Sequence, residues 1–260
     1  MKILLLFFIL LLTACSSTNQ PPQKTSLTAS LFAITPLSLE VAQQRGQQIY
    51  AKDRYAATAT DFLLQQGVLN RQSGVIGWIT ELDSNKATTY FIGSTGDKPQ
   101  IIFEVRFGYD DNAQGRPELV PPSTITKRLI NKFKVRQLAL QSIQAPCTRN
   151  YNTVVLEEQD QLIVYTLAST TEPNKIVVGG HYRFTYFKSD LKLKAKERLS
   201  RSCLTLNKSA DAIPFATHIL TETPLAIHAY LGMLHGEFYV STKNGLYQAK
   251  NGNLTLIEQP

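Results

Sequence analysis

The chain has 260 residues, 27 of them Lys or Arg and 20 Asp or Glu, which gives a formal net charge of +7 at pH 7. This length allows one large core or two small ones, and a positive excess this mild is more typical of solubility than of a special partner. The sequence contains no HExxH, no Cys-x-x-Cys, no phosphate loop and no Gly-x-Ser-x-Gly elbow, so we expect no metal and no cofactor.

The N-terminus has the pattern of an export signal. Met1 and Lys2 form a short positive start, and Ile3 to Leu12 is an unbroken apolar run. This run is too short for a membrane-spanning helix, which needs about 20 apolar residues. It ends at Leu12-Thr13-Ala14-Cys15, which resembles the bacterial lipobox.

The lipobox resemblance implies a signal peptide of residues 1–14, cleaved before Cys15, and a lipid on the Cys15 thiol. Ser16 follows, whereas an aspartate at this position resembles an inner-membrane retention signal in enteric bacteria, so the resemblance favours the periplasmic face of the outer membrane. Several acyl chains, at roughly 0.8 kcal/mol per buried methylene, make such anchoring effectively stable. The alternative is an ordinary secretory signal with a chance cysteine at its end.

Export also bears on partners. It argues against nucleic acid, and the positive excess could favour anionic envelope components such as lipid headgroups, lipopolysaccharide phosphates or wall polymers. After Cys15, the sequence to residue 35 is rich in Ser, Thr, Gln and Pro and has no clear periodicity, which predicts a lipidated N-terminus and flexible tether. Residues 36–260 are then expected to form a single domain.

The first predicted element of this domain is a helix from Ser38 to Gln66, with Ser38 as its cap and Gly67 as its stop. Gly46 and Asp53 weaken its middle, so two helices with a kink are the alternative. An antiparallel meander follows, with alternating strands at 76–82, 88–92 and 101–107. Its last strand places Glu104 and Arg106 on a solvated face.

A loop over 109–122 precedes a second predicted helix, capped by Ser123 or Thr124 and ending near Ile143. Its apolar stripe contains Leu129 and Phe133, and its basic residues, Lys132 and Arg136 among them, are expected to point outward. A strand over 133–140 is the alternative for the second half of this segment.

The remaining segments are predicted to be strands, at 153–156, 162–168, 176–187, 217–221, 226–234 and 238–242, with turns at Asn244-Gly245 and Asn251-Gly252. Strands and helices are therefore grouped rather than alternating. This grouping predicts an α+β fold of antiparallel β-sheet meanders with two long helices packed on one side.

Cys147 and Cys203 are the cysteines besides Cys15. In an oxidising compartment such a pair persists as a disulfide, so we expect a bridge between them. The loop that it closes is long, and the chain-entropy estimate of its contribution to stability is about 4 kcal/mol. Two buried free thiols are the alternative.

The most pocket-like segment follows Gly179-Gly180, where His181 and Arg183 alternate on one face of a strand. Two glycines allow close backbone approach, so His181 and Arg183 could contact an anion or carboxylate. Ordinary strand entry through a bulge is the alternative. None of the four histidines, His181, His218, His228 and His235, has metal-ligand spacing.

The densest run of positive charge is named here the basic edge, and it consists of Lys188, Lys192, Lys194, Lys196, Arg198 and Arg201. It could contact anions, or it could be a solvated edge strand that lysines protect against aggregation.

Three segments, IYAKDRYAATATD, CTRNYNTVVL and GGHYRFTYF, resemble stretches of proteobacterial envelope proteins for which no activity is assigned. This resemblance implies an envelope address and no chemistry. Three hypotheses follow: a non-enzymatic lipoprotein that binds an envelope protein or anionic component, a periplasmic hydrolase with a site near His181 and Arg183, or a structural or stress-associated lipoprotein.

Overall fold

The computed structural model describes residues 33–84, 86–96, 98–108, 115–210 and 212–259. The predicted signal peptide, the lipobox with Cys15 and most of the predicted tether lie outside the described residues, as does the first half of the predicted loop, residues 109–114. Across these described ranges, no helix is both long enough and apolar enough to cross a bilayer.

The described ranges contain three helices, α1 (Leu39–Gln65), α2 (Lys127–Gln141) and α3 (Ala226–His235). The strands are β1 (Val75–Asp83), β2 (Lys86–Thr95), β3 (Lys98–Gly108), β4 (Pro117–Val120), β5 (Asn150–Glu158), β6 (Gln161–Ser169), β7 (Lys175–Val177), β8 (Tyr182–Phe187), β9 (Leu193–Arg198), β10 (Thr205–Asn207), β11 (Phe215–Thr217), β12 (Glu237–Thr242), β13 (Gly245–Lys250) and β14 (Asn253–Glu258).

The strands form three four-stranded sheets, ordered β1-β2-β3-β4, β5-β6-β8-β9 and β11-β12-β13-β14, and a two-stranded ribbon of β10 and β7. All pairings in the described chain are antiparallel except that of β11 with β12. The α+β class with antiparallel meanders is therefore confirmed. Two long helices on one side are not confirmed, because α1, α2 and α3 have 27, 15 and 10 residues.

Helix α1 is one continuous helix without the break that its middle suggested. Ser38 Oγ accepts a hydrogen bond from Val41 N, as its role as N-cap predicts. The two residues that weaken helix propensity make tertiary contacts instead. Gly46 lies directly against α3, and the Asp53 carboxylate accepts hydrogen bonds from Tyr230 Oη at 2.9 Å and Asn152 Nδ2 at 3.1 Å.

We expect Gly46→Ala to destabilise the protein, although alanine is the better helix former. A Cβ at Gly46 would lie 2.5 Å from Ala229 Cβ and 2.7 Å from the Ala226 carbonyl oxygen, and neither atom can rotate away. The helices must then separate, which costs about 1–3 kcal/mol of unfolding free energy. Urea unfolding followed by circular dichroism measures this loss. An unchanged or higher midpoint would contradict the close packing of α1 on α3.

Helix α2 begins at Lys127 with Thr126 as its cap, two or three residues later than predicted. Its apolar stripe is confirmed, and it continues as helix through the segment that allowed a strand. The expectation that Lys132 and Arg136 point outward is wrong, because both side chains are buried, 1% and 5% exposed. For Lys132 the reason is an ion pair with Glu81 at 2.6 Å, which compensates the cost of burial.

The solvated face predicted for Glu104 is also wrong. The predicted loop contains β4, which pairs with β3 and leaves Glu104 only 1% exposed. The carboxylate accepts hydrogen bonds from Ser123 N at 2.9 Å and from Arg106 Nη2 at 2.6 Å. A buried charge with these donors is satisfied.

The strand predicted at 226–234 is in fact helix α3. This segment is apolar on every side, so its sequence has neither a strand period nor a helix period. Its residues from Ala226 to Gly232 are all buried in the main core, beside α1 and the sheet of β12 and β13. The predicted turn at Asn251-Gly252 is confirmed as a hairpin turn of that sheet. The other hairpin turn consists of Lys243 and Asn244, one residue earlier than predicted, because Gly245 pairs with Thr242 as the first residue of β13.

The disulfide is confirmed. Cys147 and Cys203 are bonded, with their Cα atoms 5.4 Å apart. The bond joins the segment between α2 and β5 to the segment between β9 and β10. Gly180 has φ +91° and fits against the bond, because a Cβ there would lie 2.6 Å from Cys147 Sγ.

Candidate functional site

The two residues that the sequence singled out for ligand contact, His181 and Arg183, are buried and bonded to the protein itself. Nδ1 of His181 accepts a hydrogen bond from Ala168 N at 3.0 Å, so the proton of the neutral ring is on Nε2, next to the Val177 carbonyl oxygen at 3.3 Å. Burial lowers the pKa of His181 to about 4. Anion contact by this pair stays a prediction, and it would require these bonds to open.

Arg183 makes a buried, two-pronged ion pair with Glu197, with N–O distances of 2.5 and 2.6 Å. The same pair holds the backbone of Thr35. Thr35 N donates to Glu197 at 2.6 Å, and Arg183 Nη2 donates to the Thr35 carbonyl oxygen at 2.8 Å. The arginine therefore binds the protein's own N-terminal segment where that segment meets the sheet.

The other histidines lie on different elements from those predicted. His228 and His235 belong to α3, not to strands, and the His218 and His228 rings meet edge to face at 4.8 Å. Nδ1 of His228 accepts a hydrogen bond from Leu225 N at 2.9 Å. In the described part of the chain no three His, Cys, Asp or Glu residues are arranged to hold a metal ion.

The basic edge occupies β9 and its flanks, and β9 is an outer strand of its sheet. Several of its charges are already paired. Lys188 Nζ lies 2.7 Å from Glu157 and Lys192 Nζ lies 3.0 Å from Asp190. The basic edge therefore lies on an outer strand, where lysines protect the exposed backbone against aggregation.

A cleft of about 960 Å³ lies where β1, the end of α2, and β5 meet. Strands β1 and β5 are outer strands of two different sheets, so the cleft separates two sheet edges. Its residues come from three separate parts of the sequence, and they are Trp78, Leu140, Ile143, Pro146, Thr148, Arg149, Asn150, Tyr151, Asn152, Ser169, Thr170 and Thr171.

The lining combines an apolar wall with polar groups that can orient a ligand. Trp78, Leu140 and Ile143 supply the wall, and hydroxyls, side-chain amides and the exposed guanidinium of Arg149 supply the polar groups. This mixture is typical of small-molecule and peptide sites. No carboxylate lies among the described residues that line the cleft.

Arg136 lies next to Trp78. Its guanidinium carbon is 5.2 Å from the centre of the indole and 5.8 Å from the centre of the Phe133 ring. Arg136 Nε donates to Thr153 Oγ1 at 2.8 Å. The space that the guanidinium fills exists because residue 77 is glycine. A Cβ on Gly77 would lie 2.5 Å from Arg136 Nη1.

Arg136 differs from the other buried cations because it has no carboxylate partner among the described residues. Lys52, Lys132 and Arg183 lie within 3.7, 2.6 and 2.5 Å of a glutamate oxygen, whereas the anchoring bond of Arg136 goes to a hydroxyl. Burial lowers the pKa of Arg136 to about 10. Even so, the side chain is charged at neutral pH.

Sequence reasoning missed this cleft. Trp78 was assigned to a strand, Arg136 to a solvated helix face and Arg149 to no element, and nothing in their spacing brings them together. One signal was present, because Gly77 beside Trp78 interrupts a strand, and an interior strand glycine often marks the close approach of another group. Comparison with protein-family models, with curated proteins and with solved structures finds no match to this chain.

Proposed function

We propose that this chain is a lipid-anchored envelope protein that binds a partner or an envelope component without catalysing a reaction, and that the cleft is its binding site. The observation that carries this proposal is the cleft itself, in which an apolar wall with Trp78 faces amides, hydroxyls and Arg149. A concave site of mixed lining is the kind of surface that binds small ligands and chain ends.

The lining favours binding over catalysis. General acid–base and nucleophilic mechanisms use His, Asp, Glu, Cys, Lys, Tyr or an activated Ser or Thr. The described lining contains none of the first five. Its Tyr151 hydroxyl accepts a hydrogen bond from Cys147 N at 3.0 Å, and its Ser169 and Thr148 hydroxyls donate to the Asn150 carbonyl oxygen at 3.1 and 2.7 Å, so these hydroxyls are engaged with the backbone.

The proposed address is the periplasmic face of the outer membrane, with the protein held by lipid on Cys15. The lipobox residues and Ser16 support it. We expect Cys15→Ser to move the protein from the membrane fraction to the soluble fraction when cells are fractionated. A Cys15→Ser protein that still sediments with membranes would contradict anchoring by this cysteine.

Binding by the cleft is tested by site-specific photocrosslinking in living cells. A photoreactive residue at Thr171, in the cleft, is compared with one at Lys194, on the basic edge, and both positions are exposed. We expect one dominant adduct from position 171 that position 194 does not give. The same adduct from 194 alone would place binding on the basic edge, and no adduct from either position would contradict a binding role.

A further inference from the structure

The charges around the cleft indicate which ligands it accepts. Resting on the function proposed above, we propose that the cleft binds a carboxylate attached to an apolar group, with Arg149 pairing with the carboxylate and Trp78 packing on the apolar group. Arg136 supplies a second, buried positive charge next to the indole.

The positive charges at the cleft have no negative counterpart in its described lining. Arg149 is exposed on the cleft, and Arg136 lies 5.2 Å from the Trp78 ring centre. The described lining holds no carboxylate to neutralise either of them. A concave surface of one charge sign with low-dielectric walls attracts and concentrates ligands of the opposite sign.

Arg136 is a buried charge, only 5% exposed. Placing a charge in a protein interior is costly unless the charge is paired, and the other buried lysines and arginines of the described chain are paired with glutamates. Arg136 is kept beside the cleft by two aromatic rings, a threonine hydroxyl and the missing side chain of Gly77. An anion bound in the cleft beside Trp78 would lower the cost of burying this cation.

The lining of the cleft suits a carboxylate better than a phosphate. Arg149 presents a planar fork that matches the two oxygens of a carboxylate. Next to it the wall is Leu140, Ile143 and Trp78, which favours an apolar group beside a single negative charge. A phosphate would bring additional charged oxygens against these apolar side chains, where they lose hydration without gaining donors.

The test uses the single tryptophan of the chain, Trp78, as a reporter of the cleft. N-acetylphenylalanine, its uncharged amide and phenyl phosphate are titrated against the full-length protein while Trp78 emission is recorded. Because a charge-assisted hydrogen bond contributes about 1.5–3 kcal/mol, we expect the acid to bind at least about tenfold more tightly than the amide. We also expect the acid to bind more tightly than the phosphate.

Arg149→Gln should remove most of this preference for the acid, bringing the ratio of acid to amide affinity close to one. Arg71→Gln is the matched control, because Arg71 is an exposed arginine outside the cleft, and it should change neither affinity. Equal binding of acid and amide would overturn the carboxylate inference while leaving the cleft as a binding site. Tighter binding of phenyl phosphate, or no saturable change with any of the three, would also overturn it, and photocrosslinking at position 171 then decides the proposed function separately.

Arg136 is tested by Arg136→Met, which we expect to lower the ratio of acid to amide affinity several-fold. If this variant does not fold, Arg136→Lys takes its place, since it retains the buried charge. The lysine variant should keep the preference for the acid. Loss of that preference in a folded Arg136→Lys protein would contradict a role for the charge.

Discussion

Lowering the pH from 7 to 4.5 is expected to reduce the free energy of unfolding by at least about 5 kcal/mol, because histidines that stay neutral in the folded core take up protons in the unfolded chain. Burial lowers the pKa of His181 and of His218 to about 4, below an unfolded value of about 6.5. Their contribution is therefore complete above pH 6.5 and declines as the pH falls toward 4. Each loses about 1.36 kcal/mol per pH unit over this range, which for these two residues gives about 5 kcal/mol. Burial also lowers the pKa of His228, so His228 adds to the loss.

The geometry explains why protonation is resisted. Nδ1 of His181 and Nδ1 of His228 both accept backbone N–H groups, so a proton on either atom would place one donor against another. Nε2 of His218 lies 2.8 Å from Thr221 Oγ1, whose own hydrogen is donated to the Thr223 carbonyl oxygen. His218 Nε2 is thus a donor, and for this ring it is burial that opposes a second proton.

Two carboxylates, those of Glu157 and Asp53, also change the stability of the protein as the pH falls. The pKa of Glu157 is lowered to about 2. Desolvation raises the pKa of this carboxyl, but hydrogen bonds from Lys132 and Lys188 outweigh it. The contribution of Glu157 to stability is therefore lost only below about pH 4.5. Burial raises the pKa of Asp53, so protonation of Asp53 adds stability as the pH falls and partly offsets the histidines. The histidines therefore dominate between pH 6.5 and 4.5.

Urea unfolding at half-unit pH steps measures the effect. His181→Asn is the informative variant, since an amide oxygen can accept the Ala168 N–H without titrating. It should flatten the pH dependence by about one proton over this window. His235→Asn is the comparison, because His235 is only half-buried at the end of α3. A stability that does not change between pH 7 and 4.5 would contradict neutral, buried histidines.

Replacing both cysteines of the disulfide by serine is expected to lower the free energy of unfolding by about 4 kcal/mol, the chain-entropy value for a loop of this length. Cys147 and Cys203 are separated by 56 residues, and the bond removes much of the freedom of that loop in the unfolded chain. Both proteins are compared in a Cys15→Ser background, so that no other thiol reacts.

Reductant is the control for this comparison. It should shift the urea midpoint of the protein with Cys147 and Cys203 and leave that of the double serine variant unchanged. Thr148 and Arg149 follow Cys147 directly and line the cleft, so the double variant should also bind N-acetylphenylalanine more weakly. Equal midpoints for the two proteins would show that the bond does not stabilise the folded state.

Local patterns predicted those elements whose stabilising contacts are themselves local. The Ser38 cap, the hairpin turns and the alternation of the first meander depend on residues within a few positions of one another. The disulfide was predictable from the expected compartment, because an oxidising environment pairs two remaining cysteines.

The errors have a common physical cause, which is contact between segments far apart in the sequence. Lys132 is a surface residue by helical periodicity, and only the position of Glu81, 51 residues earlier, makes its burial favourable. The 226–234 segment has no period because every side of α3 meets apolar groups. The cleft needs Trp78, Leu140 and Arg149 together, and no rule of spacing joins three such positions.

The hydrogen bonds of Arg183 and Glu197 to the Thr35 backbone attach the N-terminal segment to the sheet at one defined position. These two side chains are direct cross-strand neighbours on β8 and β9, and they hold both backbone polar groups of Thr35. A tensile load applied through the preceding residues would therefore enter two paired strands before it reached the first turn of α1. Strain at the attachment would be shared by charge-assisted bonds in the protein interior, so the helix would be shielded from being unwound from its end.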